Sequence, residues 1–219
     1  MGKLYIVATP IGNLEDITMR AIKTLKDVDI IACEDTRQTL KLLNKYEIKN
    51  KLVSYHQHSN ITKIDYLITE LIGGNDMAVV TDAGTPGISD PGSALIQEAI
   101  KNNIEIVSIP GPSAIIAGLA GSGVDTSKFT FLGFMPHKKG RQTLFEQIKK
   151  EEQTVVFYES CHRILKTLEA LKDCEKQIVL CRELTKIHEE FLRGTAVELL
   201  KILEDNKEKQ KGEFVVIVS

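Results

Sequence analysis

Short apolar runs alternate with stretches of helical periodicity along the first half of the chain, and this alternation limits the folds open to it. Helical spacing of apolar residues extends over 17–26, 61–72 and 93–100. When strands and helices alternate, each helix returns the chain to the same edge of the sheet, so the strands run largely parallel. The predicted strands are 3–8, 29–33, 52–55, 77–80 and 104–109. The pattern therefore predicts a doubly wound α/β domain.

The pattern changes at a small, polar stretch, 121–127, which we interpret as a domain boundary. We expect an N-terminal α/β domain, 1–121, and a C-terminal α/β domain, 122–219. The predicted strands of the second domain are 129–134, 155–158, 178–181, 190–194 and 214–218, and its helices are 141–150, 163–172 and 196–204. The fold class predicted is thus two α/β domains, the first with a largely parallel sheet and the second with a mixed sheet, with a cleft between them.

The composition narrows the class of protein. The 219 residues are 42% hydrophobic and 26% charged, and the net charge is −2, so no strong basic signature points to nucleic acid. No apolar run is long enough to cross a bilayer, and the N-terminus resembles a strand rather than a signal peptide. The four cysteines form no CxxC pair, which argues against a zinc site or a disulfide framework. We therefore expect a cytoplasmic protein with no metal site.

A long loop, 81–92, follows the fourth predicted strand and contains three glycines and two prolines. Connections of this kind usually run about 2–6 residues. Glycine lets a ligand approach the backbone, proline fixes φ, and open α/β sheets bind ligands at the carboxyl ends of their strands. A strand-to-helix turn capped by Asp90 would account for the same residues. The length of the loop favours a ligand site.

Eight ordered segments resemble the tetrapyrrole methylase superfamily and cover essentially the whole chain. Four are typical of the superfamily: Ala8-Thr9-Pro10-Ile11-Gly12-Asn13-Leu14, Glu34-Asp35-Thr36-Arg37, Asp82-Ala83-Gly84-Thr85-Pro86-Gly87 and Pro110-Gly111-Pro112-Ser113-Ala114. Four more, at 54–56, 157–163, 182–186 and 188–190 with 193–195, are similar to those of members that methylate the ribose 2′-hydroxyl of a decoding-region cytidine in 16S ribosomal RNA. The resemblance implies a methyltransferase that uses S-adenosylmethionine, acts on 16S rRNA or the small ribosomal subunit, and forms a homodimer.

The same resemblance implies where the cofactor binds. No GxGxG-like loop follows the first strand, which argues against the Rossmann mode of cofactor binding. The superfamily instead holds its cofactor between the domains. The contacts carried over by the resemblance are Pro10, Ala83, Gly84, Thr85, Ile88, Ser113 and Ala114. For Pro10 and Ala114, packing explains the residue nearly as well.

Ribose methylation needs an acceptor for the hydroxyl proton, and a positioned base or hydrogen-bond acceptor accelerates such a step. The candidates follow the second and third predicted strands: Asp35 first, then His56, with Glu34 beside Asp35. Asp35 could equally be the N-cap of the next helix. Candidate RNA contacts are Lys138, Lys139 and Arg141 in a basic turn, and Arg182, Lys186 and Arg193 in a polar cluster that could also be a solvated ion-pair network.

Two other functions fit parts of the sequence. One is methylation of a small tetrapyrrole or corrinoid on the same fold, against which segments 157–163 and 182–186 speak. The other is a non-enzymic module that binds a nucleotide or phosphate through the loop around Gly84. Only the second predicts no methyl transfer to any acceptor.

Overall fold

The computed structural model describes residues 1–55, 61–90 and 92–219, and their contacts divide the chain into two compact units, 1–113 and 114–219. The first unit contains β1 (Leu4–Val7), α1 (Met19–Asp27), β2 (Ile30–Cys33), α2 (Thr36–Lys45), β3 (Lys51–Ser54), α3 (Ile61–Ile72), β4 (Met77–Val80), α4 (Ser93–Lys101) and β5 (Ile106–Ile109), with a short 3-10 helix at Leu14–Asp16. Its strands are all parallel and lie in the order β3-β2-β4-β1-β5. The predicted parallel sheet is confirmed.

Helices cover both faces of this first sheet. Helices α1 and α2 pack on the face that carries Val7 and Ile31, whereas α3 and α4 pack on the face that carries Leu4 and Ile30. The two central strands β2 and β4 are buried at every position. Burial on both faces explains why these strands read as uninterrupted apolar runs in the sequence rather than as alternating patterns.

The second unit contains α5 (Ala114–Ser122), β6 (Phe129–Phe134), α6 (Arg141–Lys150), β7 (Thr154–Ser160), α7 (Ile164–Leu171), β8 (Ile178–Arg182), β9 (Glu190–Gly194), α8 (Ala196–Asp205), a 3-10 helix at Lys207–Gln210 and β10 (Glu213–Val218). The strand order is β6-β7-β10-β8-β9. Strands β6 and β7 are parallel, and the other pairs are antiparallel, so the predicted mixed sheet is confirmed. None of the helices described is long and apolar enough to span a bilayer.

Helix α5 lies in the second unit, whereas the sequence boundary after residue 121 placed it in the first domain. Two glycines explain this packing. A Cβ added at Gly118 would lie 3.3 Å from Val215 Cγ1, and one added at Gly121 would lie 2.4 Å from the Phe191 ring. The helix therefore lies close against the second sheet because it has no side chain at these positions.

Candidate cofactor and substrate site

The neighbouring strands β1 and β4 end where the chain changes direction across the first sheet. The chain leaves β1 through α1 on one face, and it leaves β4 through α4 on the opposite face. Two adjacent parallel strands whose connections diverge in this way leave a crevice at their carboxyl ends, which is where open α/β sheets bind ligands. The loops after β1 and β4 are therefore the candidate site of the first unit.

A pair of backbone hydrogen bonds joins these two loops. The Thr9 N–H donates to the Gly84 carbonyl at 2.9 Å, and the Gly84 N–H donates to the Thr9 carbonyl at 3.0 Å. The Thr9 hydroxyl also donates to the carbonyl of Thr81 at 3.1 Å. Gly84 has φ of +83°, a conformation in which glycine avoids the strain of a side chain. These contacts hold the loop after β4 in a fixed shape at the crevice.

The loop after β5 is attached to the same place. The Thr85 hydroxyl donates to the Pro112 carbonyl at 3.3 Å. A Cβ added at Gly111 would lie 3.0 Å from the Cβ of Ala8, so this loop runs directly against the end of β1. Three loops, after β1, β4 and β5, thus meet at one edge of the sheet.

The structure brings six of the seven predicted cofactor contacts onto these three loops. Pro10 follows β1, Ser113 follows β5, and the others lie in the loop after β4: Ala83, Gly84, Thr85 and Ile88. Pro10 and Gly84 are buried, whereas Ala83 is exposed and Ile88 is 46% exposed. The seventh, Ala114, directly follows Ser113 in the chain and begins α5. Their contact with a cofactor stays a prediction.

Asp35 lies at the same edge, after β2, and caps helix α2. Its Oδ1 accepts a hydrogen bond from the Arg37 N–H at 2.8 Å, and its Oδ2 pairs with the Arg37 guanidinium at 2.7 Å. The hydrogen bond from the Arg37 side chain lowers the pKa of Asp35 from 3.8 to about 2, helped by the bond from the Arg37 backbone. The N-cap interpretation is confirmed. The catalytic role stays a prediction. Because its pKa is about 2, the Asp35 carboxylate is ionised at neutral pH.

Further carboxylates gather beside Asp35. The Asp35 N–H donates to Asp82 Oδ1 at 3.1 Å, which links the loop after β2 to the loop after β4. Burial raises the pKa of the Asp90 carboxyl from 3.8 to about 6, and the negative charges of Glu34 and Asp82 add to the effect. This edge of the sheet is therefore electronegative, and a cationic ligand would relieve the repulsion.

The second catalytic candidate, His56, lies outside the described residues. Across residues 1–55, 61–90 and 92–219, no three His, Cys, Asp or Glu side chains come together as a metal site would require.

The predicted polar cluster of the second unit is a set of internal supports. Arg182 is 9% exposed, and its guanidinium donates to the carbonyls of residues 188, 208 and 211 at 2.7–3.1 Å. Lys186 pairs with Glu183 at 2.9 Å and with Glu213 at 2.7 Å. Arg193 donates to the carbonyls of 121 and 122 at the end of α5. The ion-pair interpretation fits Lys186 alone, because Arg182 and Arg193 bond to backbone carbonyls, and RNA binding by the three residues stays a prediction.

The basic turn before α6 divides its charges between surface and interior. Lys138 and Lys139 are exposed, and no described residue bonds to their ammonium groups. Arg141 instead turns inward, and its guanidinium lies 2.7 Å from the carboxylate of Glu159. The two lysines are thus open to solvent, whereas the Arg141 guanidinium is already paired, and phosphate contacts by these residues stay a prediction.

Two features at this end of the chain were missed by sequence reasoning. Glu159 is 2% exposed although it is charged. The sequence feature that could have indicated a buried ion pair is a glutamate near the end of an apolar strand with an arginine four residues later. The loop after β8 holds Glu183 and Thr185 at φ of +50° and +65°, a conformation that is strained for a β-branched residue. No residue type in that loop announced the strain.

Residues 3–200 match the family of tetrapyrrole (corrin/porphyrin) methylases. A Halalkalibacterium halodurans protein named ribosomal RNA small subunit methyltransferase I is 50% identical over 220 residues, which are 99% of this chain and 75% of the relative. A Thermotoga maritima protein of the same name is 46% identical over 100% of this chain and 99% of its own length.

Solved structures agree with the fold at much lower identity. A diphthine synthase superposes with a TM-score of 0.76 at 14% identity and covers 99% of this chain and 89% of its own. A cobalt precorrin-4 methyltransferase of cobalamin biosynthesis superposes with a TM-score of 0.71 at 17% identity and covers 98% of this chain and 94% of its own. At these identities the likeness shows the fold alone.

Proposed function

Because the chain belongs to the tetrapyrrole methylase family, and is therefore a methyltransferase, we propose that it methylates the ribose 2′-hydroxyl of a decoding-region cytidine in 16S ribosomal RNA, using S-adenosylmethionine. The observation that carries the proposal is the full-length similarity to relatives named for the small-subunit ribosomal RNA, which extends over both units. The same similarity favours an RNA substrate over a small tetrapyrrole.

The proposed cofactor site is the crevice where the loops after β1, β4 and β5 meet. S-adenosylmethionine supplies a methyl group already activated by a positive sulfur. The residues fit it in two ways: the loop around Gly84 carries little side-chain bulk, and the carboxylates of Asp82 and Asp90 lie at the same edge as a complement to its positive charge. Ile88, which is 46% exposed, offers apolar surface for the adenine.

In the proposed chemistry, the protein mainly aligns the hydroxyl with the methyl group. When bound, S-adenosylmethionine would supply the methyl group to the ribose oxygen and leave as its neutral thioether, and the hydroxyl proton would pass along the hydrogen bond to Asp35 and from there to water. We assign Asp35 the role of accepting the hydroxyl hydrogen bond, with Glu34 beside it. Since the pKa of Asp35 is about 2, it orients the hydroxyl but does not retain its proton. His56 is the second candidate for accepting that hydrogen bond.

RNA contacts are proposed for the exposed part of the second unit. Lys138 and Lys139 offer two unpaired ammonium groups, and lysine–phosphate contacts dominate affinity for RNA. Arg182, Lys186 and Arg193 act in this proposal through the loops and the helix end that they hold. Arg141 belongs with them, because its guanidinium pairs beneath the turn.

The assembly and location follow from the family resemblance as further proposals: a homodimer in the cytoplasm. Of the apolar residues of α5, Ile115 and Leu119 are buried, while Ile116 is 57% exposed and remains a candidate for the dimer surface. Light scattering at micromolar concentration tests the dimer, and a monomer mass would contradict it.

Incubation with labelled S-adenosylmethionine tests the proposed activity. The acceptors are small ribosomal subunits from cells that lack this modification, with a tetrapyrrole or corrinoid mixture in parallel. We expect label in the 16S rRNA alone. Label in the tetrapyrrole, or in neither acceptor, would refute the proposal.

A further inference from the structure

The second unit contains a charged cluster that is almost completely removed from water. The carboxylate of Glu159 lies 2.7 Å from Arg141 and 2.8 Å from Arg163, and the exposed fractions of these three side chains are 0%, 14% and 16%. The Thr167 hydroxyl completes the cluster, since it donates to Glu159 Oε2 at 2.8 Å and accepts from Arg141 at 2.7 Å. In each of the other ion pairs of the described residues, at least one side chain is 29% exposed or more.

The two arginines also donate to one short stretch of backbone. Arg163 donates to the carbonyl of Met135 at 2.9 Å, and Arg141 donates to the carbonyl of Pro136 at 3.1 Å. These carbonyls begin the turn that ends at Gly140, where φ is +79° and α6 starts. Glu159 thereby fixes the entry to the turn through two guanidinium groups.

The turn carries the free positive charge of this region. His137, Lys138 and Lys139 are exposed, and their side chains bond to no described residue. Burying an ion pair costs solvation energy that packed apolar side chains would not cost, so the pair is a poor choice for stability alone. The ion pair does, however, fix the backbone at Met135 and Pro136, at the start of the turn that carries the two lysines.

We propose that Glu159 is a positioning residue for RNA binding: it holds Arg141 and Arg163 so that the turn presents Lys138 and Lys139 together to RNA phosphates. This inference rests on the proposed RNA substrate. It assigns to Arg141 a supporting role beneath the turn in place of a phosphate contact. It also predicts that the lysines lose their joint effect when the support is removed, even though neither lysine touches Glu159.

A double-mutant cycle on binding to small ribosomal subunits tests the proposal, because a residue that acts only through two others has no effect without them. Removing both ammonium groups, as Lys138→Ala with Lys139→Ala, should lower affinity and reduce the slope of log affinity against log salt by about 1.5. Glu159→Gln alone should lower affinity at least fivefold and also reduce the slope. Added to the lysine pair, Glu159→Gln should change affinity less than twofold.

Two further variants separate positioning from a loss of stability. Leu168→Ala opens the apolar core on the same helix as Thr167 but removes none of the hydrogen bonds or ion pairs of the cluster, so affinity should stay within twofold of wild type. Thr167→Val removes one hydroxyl from the cluster at constant shape and should reproduce a smaller version of the Glu159→Gln effect, which keeps the test open if Glu159→Gln does not fold.

Equal losses from Glu159→Gln with and without the lysines would overturn the proposal, as would no loss at all. A KM that rises for the subunit while kcat at saturation and affinity for S-adenosylmethionine hold would support it. Failure of the proposed function would look different: wild type would bind subunits yet transfer no methyl group to them.

Discussion

Substituting Gly84 with alanine tests whether the loop after β4 meets the cofactor, and Gly74→Ala provides a matched control. Both glycines lie in the first unit with positive φ, +83° at Gly84 and +102° at Gly74. An added Cβ at Gly74 would meet nothing within 4 Å, and one at Gly84 would lie 3.6 Å from Ile11 Cγ2, an ordinary contact. Neither added methyl group therefore clashes with another residue of the protein.

The stability cost should be the same for the two variants. A side chain at positive φ costs about 1–2 kcal/mol, because the Cβ crowds the neighbouring backbone. For a unit of this size, 1 kcal/mol lowers Tm by about 2–8 °C. The Gly84 methyl group would also lie beside Ile11, where the loops after β1 and β4 meet. Only this variant places an atom where the proposed cofactor lies.

Calorimetric titration with S-adenosylmethionine and with its demethylated product measures the difference. We expect Gly84→Ala to lose at least tenfold in affinity, which is about 1.4 kcal/mol, and Gly74→Ala to bind as wild type does. Equal Tm values for the two variants would show that the comparison is matched. A folded Gly84→Ala protein with unchanged affinity would refute the placement of the cofactor against this loop.

Three other predictions follow from single side chains. Because the pKa of Asp90 is raised to about 6, its stabilising contribution is present below pH 4 and is lost as pH rises through 6. In urea unfolding, Asp90→Asn should therefore gain about 1–2 kcal/mol in stability relative to wild type between pH 4 and pH 7.5. A difference in stability that stays constant over this range would contradict the prediction. Asp35→Asn should lower kcat at least tenfold with unchanged cofactor affinity, and an unchanged kcat would leave Asp35 as a helix cap alone. Since the pKa of Asp35 is about 2, any fall in the wild-type rate below about pH 6 must come from another group. Thr185→Gly relieves the strain of a positive φ and removes a buried hydroxyl that has no partner among the described residues. We therefore expect thermal unfolding to show a gain of about 1 kcal/mol in the free energy of unfolding. A lower Tm would mean that the conformation at Thr185 is not strained.

The sequence predicted the architecture because local patterns determine it. The uninterrupted apolar runs at 30–33 and 77–80 are the signature of strands covered on both faces, and the structure buries both strands completely. The long loop after β4 was recognisable as a candidate site from its length and its glycines. Strand order was not predictable in this way, since it depends on which strands pair across long stretches of chain.

The features that could not be predicted from the sequence depend on contacts between residues that are distant in the chain. Helix α5 followed the first domain in the chain, yet Gly118 and Gly121 fit it to a sheet formed by residues some sixty to one hundred positions later. Arg182 was a candidate RNA contact from its motif, but its three acceptors lie at residues 188, 208 and 211. A charged residue can be identified from sequence alone, whereas its burial and its partners appear only in three dimensions.

Nucleoside analysis of the methylated product tests the central claim most directly. Small ribosomal subunits that lack the modification are incubated with the protein and with S-adenosylmethionine that carries a heavy methyl group, and the 16S rRNA is then digested to nucleosides for mass spectrometry. We predict a single heavy product, 2′-O-methylcytidine, from the decoding region. A heavy methyl group on a base, on another ribose, or on no nucleoside at all would contradict the proposed function.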